Sequence, residues 1–62
     1  MSFVDYIYNI VKVEFIDAEN VDIADIVRLV GSYGFNALID NNLLESCGVK
    51  SGRIHYSLVD RV

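Results

Sequence analysis

The sequence contains no proline, no tryptophan and a single cysteine, Cys47, in 62 residues. One cysteine cannot form an internal disulfide, so a disulfide-stabilised secreted scaffold is excluded. Long apolar runs are absent too. The longest stretch without a charged side chain extends from Leu29 to Ile39, far below the ~20 residues that span a bilayer. The segment from Met1 to Asp5 lacks the basic region of a secretory signal. We therefore expect one domain, residues 1–62, in the cytoplasm.

The chain is hydrophobic for its size, because 53% of its residues are apolar. A domain of about 60 residues buries only about 60% of the surface that its unfolded chain exposes, so its own core is marginal. Small scaffolds compensate with disulfides, a structural metal or oligomerisation. Cys47 and His55 are the two candidate soft-metal ligands, and one of each cannot fill a tetrahedral zinc site within one chain. We therefore expect no cofactor and a homo-oligomer, most simply a dimer.

Acidic residues outnumber basic ones nine to five, giving a net charge of −4. The resulting negative field opposes non-specific binding to nucleic acid or to an anionic membrane. Five acids lie between positions 14 and 25, a stretch that contains no Lys or Arg, and such a segment can meet a basic surface on a protein partner. A solvated loop is the alternative interpretation. The candidate partner-binding residues are Glu14, Asp17, Glu19, Asp22 and Asp25.

Hydrophobic periodicity divides the chain into short elements. Residues 9–16 alternate and are rich in β-branched side chains, which predicts a strand. A helical stripe also fits this part of the chain, through Phe3, Ile7, Ile10 and Val11. Residues 3–9 can therefore be a strand or a helix. Asp22 is suited to cap a helix that continues at helical spacing to Tyr33 and ends at Gly34. We predict the remaining elements as a strand over 35–40 (or a short helix), a helical turn over 43–47 ended by Gly48, a turn at 50–52 and a strand over 53–59.

These elements predict an α+β fold of two layers, β-α-β-(short α)-β, with a three-stranded sheet and one main helix on one face. The apolar arc of that helix is wider than one sheet face requires. The opposite sheet face is predicted to carry tyrosines. Because exposed apolar surface of this kind is commonly covered by a second copy, we predict self-association through the residues Tyr6, Tyr8, Leu29, Tyr33 and Leu38.

Two other classes of function use different residues. A nucleic-acid or nucleotide binder would stack bases on the open sheet face and neutralise phosphates there, through Tyr6, Tyr8, Lys12, Arg53 and His55. An enzyme or metal protein would have to use Cys47 and His55, but no third residue marks an orienting group or an oxyanion hole. The acids from Asp17 onwards fail the EF-hand spacing, because the sixth and twelfth positions hold Asp22 and Arg28. We therefore expect no catalytic and no metal-binding residues.

In size, acidity and lack of motifs, the chain resembles in general character the small accessory proteins with which phages and mobile elements bind and inhibit host machinery. Anti-CRISPR proteins are among them. The resemblance implies an inhibitor that acts by binding, and it carries over no individual residue. Together with the composition, it leads us to expect a small, acidic, non-enzymatic protein-interaction module that is a homodimer and modulates a macromolecular partner.

Overall fold

Residues 2–60 of the protein form two helices and a three-stranded sheet. The structure, a computed structural model, describes residues 2–60. In chain order the elements are α1 (Phe3–Glu14), β1 (Val21–Asp22), α2 (Ile23–Asp40), β2 (Leu44–Lys50) and β3 (Arg53–Leu58). The predicted α+β class with a three-stranded sheet is confirmed, and the order of elements agrees roughly with the predicted one. Several individual segments differ from their predicted type.

The strands form an antiparallel sheet in the order β1-β3-β2. Since β1 and β2 are both antiparallel to β3, they run in the same direction and α2 connects them. A strand–helix–strand unit is therefore present, although its strands are not the two that were predicted for it. The predicted turn is confirmed: Ser51 and Gly52 have φ of 54° and 76°, which is the combination a two-residue type I′ hairpin requires.

The strand predicted over residues 9–16 is wrong, because residues 9–14 lie in helix α1 and residues 15–16 follow it in a turn. The side chain of Ser2 caps the helix by accepting a hydrogen bond from the amide of Asp5. Ile7 and Val11, one turn apart, both lie in the core. The helical spacing of the apolar residues therefore agrees with the structure of this segment, and their alternation does not. The β-branched residues of this segment favour a strand only weakly, and tertiary packing overrides such a preference.

Helix α2 begins as predicted, with the carboxylate of Asp22 accepting a hydrogen bond from the amide of Ala24. It does not end at Gly34. Instead it kinks at Gly31, which has φ 77° and ψ 167°, and then continues to Asp40. The strand predicted over 35–40 is therefore wrong. Gly34 and Leu38, one turn apart, both face the core, and this burial holds the segment in a helix.

The helical turn predicted over residues 43–47 is also wrong, because Leu44 begins strand β2. Only the first residue of β2 is buried, and from Glu45 onwards the strand is exposed. The pairing with β3 shifts between Ser46 and Val49, which forms a β-bulge. The last predicted strand is confirmed as β3.

The core lies between the two helices and one face of the sheet. Its buried side chains are Ile7, Tyr8, Val11, Ile26, Leu38, Leu43 and Leu44. Tyr56 and Leu58 of β3 pack against this cluster. Ile54, which alternates with them along the strand, is exposed near the tip of the hairpin. Within residues 2–60, neither helix is long and apolar enough to cross a membrane.

Candidate functional site

The most prominent surface feature is an apolar area on the two helices, here called the helix patch: Phe3, Tyr6 and Val13 of α1 with Tyr33 of α2. These side chains are 51%, 58%, 73% and 79% exposed. Positions 3, 6 and 13 share one side of α1 because they follow the helical repeat. The Phe3 and Tyr33 rings lie 5.8 Å apart between centroids, with their planes tilted by 59°. This contact makes the patch continuous between the two helices.

An open groove of about 470 Å³ runs along α1 within the helix patch. Its lining is mostly apolar and contains one charged group, at one end. The lining residues are Tyr6, Asn9, Ile10, Val13 and Glu14. Such a surface offers few polar groups to orient a small substrate, whereas exposed aromatic side chains on a helix are typical anchors of protein interfaces.

The five residues predicted for self-association separate into two groups. Tyr6, Leu29 and Tyr33 are exposed on the helices. Tyr8 and Leu38 are 4% and 0% exposed, so their placement on a contact surface is wrong. Both belong to helices rather than to an open sheet face, and their helical positions direct them into the core.

Phe3 and Val13 were not predicted as contact residues. The signal that could have found them is the helical stripe through residues 3–11, which was considered for the N-terminal segment. Val13 follows Ile10 of that stripe by three residues, a spacing that keeps the two on one side of a helix.

Four of the five acidic residues are exposed. Glu14 ends α1, Asp17 and Glu19 lie in the connection to β1, and Asp25 lies in the first turn of α2. The carboxylate of Asp25 is 3.4 Å from the guanidinium of Arg28, a surface ion pair of small energetic value. A groove of about 240 Å³ between the helices is lined by Glu14, Phe15, Asp25, Arg28 and Leu29. Two of the acids therefore share one groove.

Asp22 has a structural role that the other four acids lack. One of its carboxylate oxygens accepts a hydrogen bond of 2.9 Å from the amide of Ala24, and the other lies 3.1 Å from the guanidinium of Arg53. The Ala24 amide, followed by the hydrogen bond and the charge of Arg53, holds the pKa of Asp22 below its ordinary value of 3.8. Burial opposes this shift without reversing it. The carboxylate is thus engaged within the fold.

The open sheet face predicted for nucleic-acid binding does not exist in the predicted form. Tyr6 and Lys12 lie on helix α1, and Tyr8 is buried. Of this group, Arg53 and His55 are on the sheet, in β3, and Arg53 is paired with Asp22. The two aromatic residues therefore do not form a stacking platform with the basic residues of the sheet.

The thiol of Cys47 and the ring of His55 lie on paired strands at the β-bulge. Cys47 is exposed, and its Sγ is 3.7 Å from the carbonyl oxygen of Glu45. Nδ1 of His55 lies 3.1 Å from the carbonyl oxygen of Arg53. Among residues 2–60, no three His, Cys, Asp or Glu side chains are grouped closely enough to hold a metal ion.

Comparisons with family models, with curated proteins and with solved structures find no significant match to this chain.

Proposed function

We propose that this protein is a cytoplasmic, non-enzymatic binding module that forms a homodimer and inhibits or modulates a macromolecular partner. The observation that carries the proposal is the exposure of the helix patch. An aromatic side chain covers about 150–250 Å², so the exposed fractions of Phe3, Tyr6 and Tyr33 amount to roughly 400 Å² of ring surface. A patch of this size is comparable to the largest apolar patch of a typical monomer, and such patches are often interaction sites.

The helix patch can supply a large part of a dimer interface. Each partner contributes about 800 Å² to a stable interface, and the three rings supply about half of that. Val13 and the partly exposed Ile10 add to the same surface. Self-association would also enlarge a core that has seven buried side chains in the described part of the chain, which is the compensation that small scaffolds require.

The test of the homodimer is the solution mass. We expect light scattering to give twice the chain mass of 7.0 kDa at micromolar concentration. Val13→Lys should convert the dimer to a monomer, because it places a charge inside the helix patch. Val49→Lys is the matched control, since Val49 is 67% exposed against 73% for Val13 and lies on the hairpin. A wild-type monomer throughout the concentration series would refute the homodimer.

The acidic segment is the proposed binding site for a basic protein surface. Glu14, Asp17 and Glu19 are exposed and lie within a short stretch that joins the two helices. Close carboxylates raise the local negative potential, which accelerates and orients the approach of a basic partner. Asp22 is the least available of the predicted acids, because the Ala24 amide and Arg53 already engage it.

A lysine-rich peptide is the probe for this site. Neutralising Glu14, Asp17 and Glu19 to Gln, Asn and Gln should weaken peptide binding and reduce its dependence on salt. The matched control neutralises three exposed acids elsewhere, Asp40, Glu45 and Asp60, so both variants change the net charge equally. Equal weakening by the two variants would mean that net charge alone attracts the peptide and would refute the acidic segment as a site.

A further inference from the structure

We infer that Tyr33 of each copy is the anchor of the homodimer and inserts into a hole on helix α1 of the other copy. This inference rests on the proposed homodimer and names the contact that forms it. Three features of the helix patch support it: the residue spacing of the groove on α1, the exposure of Tyr33, and the presence of both on one surface.

The groove on α1 has the residue spacing of a hole that receives a side chain from a facing helix. Such a hole is bounded by four neighbouring residues, at positions i, i+3, i+4 and i+7 of one helix. Four of the residues that line the groove have this spacing: Tyr6, Asn9, Ile10 and Val13. Glu14 adds a charge at one end. All of them belong to α1, so within residues 2–60 the hole is lined by one helix and is open to a second molecule.

Tyr33 has the properties of a side chain that fills such a hole. It is 79% exposed, more than any other large apolar side chain in the described part of the chain. On one side its ring contacts that of Phe3, with 5.8 Å between the centroids. This contact restrains the ring before binding, so less conformational entropy is lost when a second copy covers it. A tyrosine ring is also apolar while its hydroxyl can stay in water at the open side of the hole.

The presence of Tyr33 and of the hole on one surface identifies a second copy as the occupant. A closed two-fold dimer requires a surface that is complementary to itself. Phe3, which contacts Tyr33, precedes Tyr6 at the near end of the hole by three residues, or about one helical turn. One rotation by 180° can therefore place each Tyr33 in the hole of the other copy. If they were on opposite sides of the molecule, the same contact would give an open chain of copies.

The outer edge of β2 is another surface on which a second copy could pair, and its features oppose strand addition. The bulge between Ser46 and Val49 interrupts the regular spacing of the strand, and Lys50 places a charge at its end. Bulges and edge lysines are devices by which proteins block edge-to-edge pairing. These features favour the helix patch over the sheet edge as the surface for self-association.

Tyr33→Trp tests whether this side chain is buried in the dimer, because the sequence contains no tryptophan. We expect its fluorescence emission to shift to shorter wavelength over the concentration range in which light scattering shows the mass to double, since the indole ring leaves water. Val49→Trp, on the exposed hairpin, is the matched control and should keep one spectrum throughout. A doubled mass without a shift at position 33 would overturn the contact and leave the homodimer standing. A wild-type monomer at every concentration would instead refute the homodimer itself.

Photo-crosslinking identifies the segment that position 33 contacts. Tyr33 is replaced by the photoreactive analogue benzoylphenylalanine, and isotope-labelled and unlabelled chains are mixed in equal amounts before irradiation. We expect mass spectrometry to find products between labelled and unlabelled chains, attached within residues 6–14 of the second chain. The same analogue in place of Val49 should give little product between chains. Attachment of position 33 to another segment of the second chain would overturn the hole on α1 even where the mass confirms a dimer.

Discussion

The hydroxyl of Tyr8 donates a hydrogen bond of 2.8 Å to the backbone carbonyl of Val59. These residues are 51 positions apart, so the contact joins the first helix to the segment that follows the last strand. It explains why a tyrosine, which is amphipathic, can be almost fully buried: the ring packs in the core and the hydroxyl reaches an acceptor.

Replacing Tyr8 by Phe removes this hydrogen bond and leaves the carbonyl of Val59 without it. We expect the free energy of unfolding to fall by about 1 kcal/mol, measured by denaturant titration at one fixed chain concentration. Tyr33→Phe is the control, because Tyr33 is exposed. Equal losses in the two variants would contradict the role of the Tyr8 hydroxyl.

Leu38→Ala should be the more damaging change, because Leu38 is fully buried. Truncating a buried leucine costs about 2–5 kcal/mol through lost burial and the cavity left behind. In a protein of this size, such a loss leaves the chain largely unfolded, which circular dichroism would detect. Val49→Ala, on the exposed hairpin, should remain folded. A stable Leu38→Ala variant would contradict its position in the core.

Gly31 occupies a backbone conformation that only glycine adopts readily, with φ 77° and ψ 167°. An added Cβ would have no atom within 4 Å, so the cost of substitution comes from the backbone alone. Gly31→Ala should lower the free energy of unfolding by about 1–3 kcal/mol. A synthetic chain with D-alanine at this position should keep wild-type stability, because D-residues accept positive φ. Equal losses with L- and D-alanine would refute the conformational explanation.

The pKa of Asp22, held below 3.8, makes a pH-dependent contribution to stability. The folded state favours the carboxylate, so this contribution is complete above the ordinary pKa and is lost as the pH falls through the lower, folded-state value. The measurement is the difference in free energy of unfolding between wild type and Asp22→Asn. We expect this difference to be constant from pH 5 to 7, which is about one unit or more above the ordinary pKa, and to shrink below about pH 4.

Arg53→Gln separates the contribution of Arg53 to this shift from that of the Ala24 amide. The Ala24 amide is the larger cause and Arg53 the smaller one, so the pH dependence should decrease in the Arg53→Gln background without disappearing. If Arg53→Gln removed it completely, the capping hydrogen bond would not be its main source.

Local signals predicted some elements well. The capping residue Asp22, the turn at Ser51 and Gly52, and the alternating strand β3 each depend on neighbours within a few residues, and all three are where the sequence placed them. The α+β class follows from these signals. Three segments differ, residues 9–16, 35–40 and 43–47, and in the first two the apolar residues fit both a strand and a helix. For residues 9–16 and 35–40, the choice depends on contacts with distant parts of the chain, which a local pattern does not contain.

The same distinction between local signals and long-range contacts applies to the residues of the candidate site. Tyr6, Leu29 and Tyr33 are exposed, as self-association requires, and their role in it stays a prediction. Tyr8 and Leu38 were misplaced because a strand and a helix direct the same residue to different sides. Burial of Tyr8 also requires the carbonyl of Val59 as an acceptor, and no sequence pattern relates these two positions.

The strand order of the sheet has a consequence for how the protein is made. β3 is the central strand, yet its residues are synthesised after both of its neighbours. While a ribosome has released only β1 and β2, the two strands have no partner between them, and the hydrophobic faces of the helices are uncovered. The sheet can therefore close only after residues 53–58 emerge, and until then its unpaired strands and apolar surfaces are prone to aggregation.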